Sequence, residues 1–216
     1  MTSVANSSTR SQWLVPTALI LLIVVPVAGG ADRVAGLAGG AHVTPANARF
    51  FAEPVPVLVH IFSASLYCVL GAFQFASGFR RRRPGWHRMA GRLLVLCGLA
   101  AGLAGLWMAL FYPDAPGDGA LLRGFRLVFG SAMVACIALG FAAIRRRDIT
   151  RHRAWMIRGY AIAQGAGSQA VISVVWLLLV GTPVGVSRAL LMAAGWMINL
   201  AVAQWIIRRQ TRRSAL

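Results

Sequence analysis

Apolar residues run through this chain in blocks of about twenty, the length that crosses a hydrocarbon core about 30 Å thick, with short polar or charged stretches between them. Six such blocks lie at roughly 13–29, 55–79, 93–112, 121–144, 155–180 and 189–207. None shows the apolar–polar alternation of a barrel strand, so the spans are predicted to be helices. The pattern predicts an all-α, polytopic transmembrane helical bundle of six spans over residues 13–207, with tails at 1–12 and 208–216. The first block is the shortest and carries Pro16 and Pro26. With Arg10 before it and Ala28-Gly29-Gly30-Ala31 after it, it also imitates a signal peptide and its cleavage site. The topology closes with this block kept as an anchor.

Composition agrees with the pattern. Of 216 residues, 58% are hydrophobic and 12% charged, and the latter is about half the usual share in a soluble domain. The net charge of +17 comes from 22 arginines against 5 acids. A disordered or nucleic-acid-binding basic chain would be poor in apolar residues, so neither class fits and no nucleic-acid partner is expected. The arginines instead mark sides. Seventeen fall at the start (Arg10), in the second connection (Arg80 to Arg83, Arg88, Arg92), in the fourth (Arg145 to Arg147, Arg151, Arg153, Arg158) and in the tail (Arg208, Arg209, Arg212, Arg213). Five (Arg33, Arg49, Arg123, Arg126, Arg188) fall on the other side, with four of the five acids. The positive-inside rule then places both termini in the cytoplasm of a bacterial plasma (inner) membrane, with the arginine collars against anionic lipid head groups. Trp13, Trp86, Trp155 and Trp205 fall at the same boundary, where indoles anchor. The connections are short apart from residues 30–54, so neighbouring spans are expected to pair antiparallel in one bundle, with a homo-oligomer left open.

Candidate chemistry is sparse. The histidines are His42, His60, His87 and His152. His87 and His152 stand at matching depth, one turn before the third and fifth spans, as two axial ligands of one haem iron would. Arg88 and Arg153 beside them suit anionic groups such as propionates. Gln74, Tyr160, Gln164 and Gln204 fall in the inner third of their spans and could complete a polar, cytoplasm-side pocket with that pair. The bland reading of the histidines is helix capping or contact with head groups, and that of the glutamines is interhelical hydrogen bonding. His60 lies in the second span behind Pro54 and Pro56; it is either a proton-relay group or a residue of the head-group zone. Gly98, Gly102 and Gly105, like Gly165, Gly167 and Ser168, read as close-packing surfaces. Cys68, Cys97 and Cys136 read as small buried residues. No hydrolase triad, paired carboxylate or phosphate loop occurs.

The second and fourth connections echo one another: RRRRPGWHRMAGR (Arg80 to Arg92) and RRRDITRHRAWMIR (Arg145 to Arg158) each join an arginine run to His-Arg and a further Arg. This suggests two related hairpins, spans two–three and four–five. These segments, with FFAEPVPVLVHIFSASLYCVLGAFQF (Phe50 to Phe75), resemble the uncharacterised bacterial membrane family called domain of unknown function 2306, over roughly residues 50–170. The matching positions include His60, Gln74, His87, Arg88, Arg92, His152, Arg153, Trp155, Arg158 and Tyr160. The resemblance implies a multi-helix membrane protein and carries no established activity. A more distant likeness is to membrane cytochrome b bundles, which supply histidine pairs at both faces; here only one convincing pair is present. Two readings therefore stand: a haem b- or quinone-associated redox protein using His87, His152, Arg88, Arg153, Gln74 and Gln164, with His87 and His152 as iron ligands, or a non-enzymatic lipid-binding, assembly or small-molecule permeation protein.

Overall fold

A computed structural model describes residues 3–214. Met1, Thr2, Ala215 and Leu216 lie outside the described residues, as do the side chains of residues 3–12 (Arg10 among them) and of Ser77, Arg80, Arg213 and Ser214. Among the described residues the regular structure is entirely helical. Six stretches are long and apolar enough to cross a membrane: Trp13–Ala38, Pro54–Phe73, Pro84–Phe111, Ala120–Arg145, Ile149–Leu179 and Gly185–Arg212. The six predicted spans are all present, with shifted ends.

The first helix, α1 (Ser3–Ala38), continues through the small residues that imitate a cleavage site. At Gly30 smallness serves packing: a Cβ there would stand 3.0 Å from Ile61 of the second span. A short α2 (Ala48–Ala52) leads into α3 (Pro54–Phe73), which has Pro54 in its first turn, where a missing N–H costs nothing. α3 stops at Phe73, six residues earlier than the apolar block suggested. The chain turns at Gln74–Ala76, and part of the arginine run forms the short α4 (Ser77–Arg82). Pro84 then opens α5 (Pro84–Phe111), so the HRMAGR segment belongs to the first turns of the third span. α6 (Ala120–Arg145) ends in a turn with Arg147 at φ 61°. Asp148 caps the next helix, α7 (Ile149–Ala163), by accepting from the Arg151 N–H at 2.9 Å. α8 (Gly165–Leu179) and α9 (Gly185–Ser214) complete the chain.

The fifth span is therefore two helices, broken at Gln164. Asn199 of α9 reaches across and donates its Nδ2–H to the Ala161 carbonyl at 3.2 Å, while its Oδ1 accepts from Ser168 Oγ at 2.8 Å. A backbone carbonyl loosened from its ladder in hydrocarbon needs such a substitute partner. The glycines after the break admit neighbours: Gly165 lies against Trp196, and Gly167 against the Leu22 carbonyl of α1.

α3 pairs most extensively with α5 and α6 with α7, the two hairpins expected from the echo. α5 also packs on α6, α8 on α9, and α1 on α3 and α8. The core lies at mid-depth and toward the arginine-rich end, around Tyr67, Leu94, Cys97, Ile137 and Tyr160. Aromatic rings fill what small residues leave open there. Tyr160 lies over Gly71, and a Cβ on Gly98 would meet Ile137 and Tyr67 at 2.6–2.7 Å. Leu178 and Leu179, each 79% exposed, belong to an apolar outer surface that lipid would cover.

Candidate functional site

Toward the end of the bundle opposite the arginine collars, the helices enclose a cavity of about 410 Å³. It runs along α5 from Tyr112 to Ala101, eleven residues or about 16 Å. That is roughly half the hydrocarbon thickness. The cause lies in the small side chains of the lining: Ala64 on α3, Ala101 and Ala109 on α5, and Ala166 on α8. These are small residues spaced by turns of helix, and no aromatic ring fills the space between them. Trp196 of α9, stacked on Phe129 at 4.7 Å between centroids, forms part of the wall, and Cys68, Ile162 and Ala163 lie deepest.

Few polar groups face this space. His60 is seated on the Ala101 carbonyl through Nδ1 at 2.8 Å, with its ring against Gly105. A carbonyl only accepts, so Nδ1 carries the hydrogen and Nε2 is the acceptor of the neutral ring. α3 ends at Phe73, which puts His60 about 20 Å from its inner end. Gln169 is buried and donates to the Met192 carbonyl at 2.8 Å.

The mouth is charged. Asp118, with its side chain 1% exposed, holds Arg126 at 2.8 Å and Arg188 at 2.7 Å, while Arg123 pairs with Asp114 at 2.5 Å. The Gly185 N–H also donates to the Gly117 carbonyl at 2.9 Å, so the α5–α6 and α8–α9 connections are clasped together. Arg33 and Arg49 both stack on the ring of Phe50, 4.6 Å from its centroid. Among the described residues neither is in a carboxylate ion pair; Arg49 donates to the Pro113 carbonyl at 3.4 Å. Burial pushes the Arg49 guanidinium below its ordinary value; Asp118 opposes this, and Arg126 and Arg33 add to it. Tyr112 donates to the Glu53 carbonyl, fixing α2 to the end of α5.

Below the cavity floor the bundle is polar but filled. Tyr160 donates to the Cys68 carbonyl at 2.6 Å and accepts from Gln164 Nε2 at 2.7 Å. The hydroxyl of Tyr67, Oε1 of Gln164 and Nε2 of Gln74 are buried without a hydrogen-bond partner. Arg158 donates to Gln204 at 2.9 Å and lies over the Trp155 ring.

The six residues singled out from sequence do not line the cavity. His87 and Arg88 lie in the first turns of α5, and His152 and Arg153 in those of α7. α6 packs against both helices, which do not form a packed pair with each other. His152 is seated through Nδ1 on the Gly140 carbonyl of α6 at 2.8 Å, as His60 is on Ala101. Gln164 joins Tyr160 in a buried network, and Gln74 caps the end of α3. Among the described residues no three His, Cys, Asp or Glu side chains come together. Sequence reasoning passed over Arg49, Arg126, Asp118 and Trp196. The available signal was Arg126 inside the fourth apolar block, since an ionisable residue within a span points to function by default.

Fold and cavity together define a polytopic helical membrane protein with a ligand-sized chamber inside one half of its bundle. The chain belongs to the family of predicted membrane proteins designated domain of unknown function 2306, whose model matches residues 57–207. No curated protein and no solved structure matches it.

Proposed function

We propose that this protein binds a small, mostly apolar molecule taken from the membrane, holding it in the chamber between α1, α3, α5, α6, α8 and α9. One observation carries the reading: a volume of about 410 Å³ walled mostly by apolar side chains, with His60, Ser65, Gln169 and the charged mouth as its polar groups. Small-molecule sites have this size and composition, roughly 300–1,000 Å³ and apolar with a few placed polar groups. With the arginine collars on the cytoplasmic side of a plasma membrane, the mouth opens on the other side. This lies nearest the lipid-binding member of the non-enzymatic alternatives read from the sequence, and it needs no redox cofactor.

The redox reading has one observation in its favour. His152 commits Nδ1 to a carbonyl, which leaves Nε2 as the acceptor, the tautomer an axial ligand uses. A reduced-minus-oxidised spectrum of protein from haem-replete cells tests it, with His87→Ala and His152→Ala as controls. The binding reading is tested by native mass spectrometry of the protein released from its own membrane, with Ala64→Trp as the comparison. A bound species of small mass is expected with the wild type and lost with Ala64→Trp, at an unchanged thermal midpoint. Equal retention by both proteins overturns the reading.

A further inference from the structure

The chamber is asymmetric: its deep end is apolar and its mouth carries more guanidinium than carboxylate. Two of the five arginines there, Arg33 and Arg49, stack on Phe50 instead of joining an ion pair. Arg49 and Arg126 both line the chamber, as does Asp114, which is paired with Arg123, whereas Asp118, which holds Arg126, does not. Three guanidinium groups in this mouth repel one another, and the partial burial of Arg49 removes some of the water that would offset the repulsion. A cation left in that position is best satisfied by an anion with several acceptor oxygens, which a guanidinium can grip at two points. The path inward from that grip is lined by Gly30, Ile61, Gly105 and Met133, with His60 and Ser65 beside them, and suits a mostly apolar body.

We infer that the ligand is a single-chain amphiphile with an anionic head, its carboxylate or phosphate held by Arg49 and Arg126 and its chain lying along His60 toward Cys68. This rests on the binding reading above and specifies its ligand. One chain is inferred because the volume is at the low end for small-molecule sites. Trp196 in the chamber wall supplies the probe, because bromine within contact distance quenches indole fluorescence.

The experiment uses the full chain in nanodiscs of neutral phosphatidylcholine, titrated with 9,10-dibromostearate or with its methyl ester, for the wild type, Trp196→Phe, Arg49→Gln and Arg49→Lys. The acid is expected to give saturable quenching that Trp196→Phe removes. Arg49→Gln should raise its half-saturation about ten-fold, the scale of one charge-assisted hydrogen bond, and Arg49→Lys by less. The ester should show no saturable component. Displacement by stearate in preference to stearoyl lysophosphatidate identifies a carboxylate head, and the reverse a phosphate head; either supports the inference. Acid and ester quenching Trp196 equally, with Arg49→Gln indifferent, overturns the anionic head and leaves the chamber a binding site. No Trp196-dependent quenching by either compound overturns both readings. Thermal midpoints of the variants within a few degrees of wild type show that the folded protein is being compared.

Discussion

The two halves of the bundle are built from the same kinds of residue and end differently. Each seats a histidine by its Nδ1 on a carbonyl of the neighbouring helix: His60 on Ala101 in one half, His152 on Gly140 in the other. Each lines its helix faces with glycine and alanine. In the arginine-rich half the gaps are filled by rings, Tyr160 over Gly71 and Tyr67 beside Gly98. In the other half about 410 Å³ beside Ala64, Ala101, Ala109 and Ala166 is left unfilled. Small residues thus have two uses in a membrane bundle, to receive a neighbour or to leave a chamber. Which one applies is decided by the side chain on the opposing helix, far away in sequence.

That contrast can be broken most forcefully at Gly98. Gly98→Val drives a branched side chain into Ile137 and Tyr67, and the loss should be about 3 kcal/mol. It would be read as a collapse in the yield of folded protein or a drop in thermal midpoint. Ala64→Trp adds far more volume on the hollow side and should change the midpoint little, since it fills space. If both substitutions are equally harmful, the halves do not differ as described. Next in size is Asp118→Ala, which strands Arg126 and Arg188 at the clasp. Both arginines are about one third exposed, so we expect about 2 kcal/mol, less than for a fully buried pair. Protease cleavage of the α5–α6 connection should rise with it. Tyr160→Phe removes the bonds to the Cys68 carbonyl and Gln164, and about 1 kcal/mol should be lost in the denaturation midpoint. Tyr67→Phe is the smallest change and sharpens the comparison. It deletes a buried hydroxyl that has no partner, so the same measurement should show no loss or a slight gain.

Much of the fold was legible in the sequence because the bilayer imposes a single length scale. Six apolar blocks became six helical spans, and the two arginine–histidine echoes became the starts of α5 and α7. Ends were less legible. α3 stops at Phe73 and α1 runs on to Ala38, because apolar character tells where lipid is tolerated and not where the backbone turns. The break at Gln164 was hidden for the same reason: Gly165 and Gly167 look like packing glycines, which they are, and the partner of the loosened carbonyl is Asn199, 38 residues from Ala161.

The candidate site was harder to read. His60 follows two prolines, and the sequence offers either a proton relay or the head-group zone for it; the structure seats it in a chamber wall. The arginines of the poorer side enter the sequence reading only as a topological count, although Arg49 and Arg126 line the chamber. His87 and His152 drew attention through matching depth along the chain. Depth is only one coordinate: their helices lie against α6 without packing on each other.

The splice made by Asn199 has a consequence for biogenesis. Ala161 emerges from the ribosome well before Asn199, so the bent fifth rod must wait, with one peptide oxygen lacking its final partner, until the last helix has been threaded beside it. The closing step of assembly is therefore written into a residue near the end of the chain, and versions shortened ahead of position 199 should be handed to quality control instead of maturing.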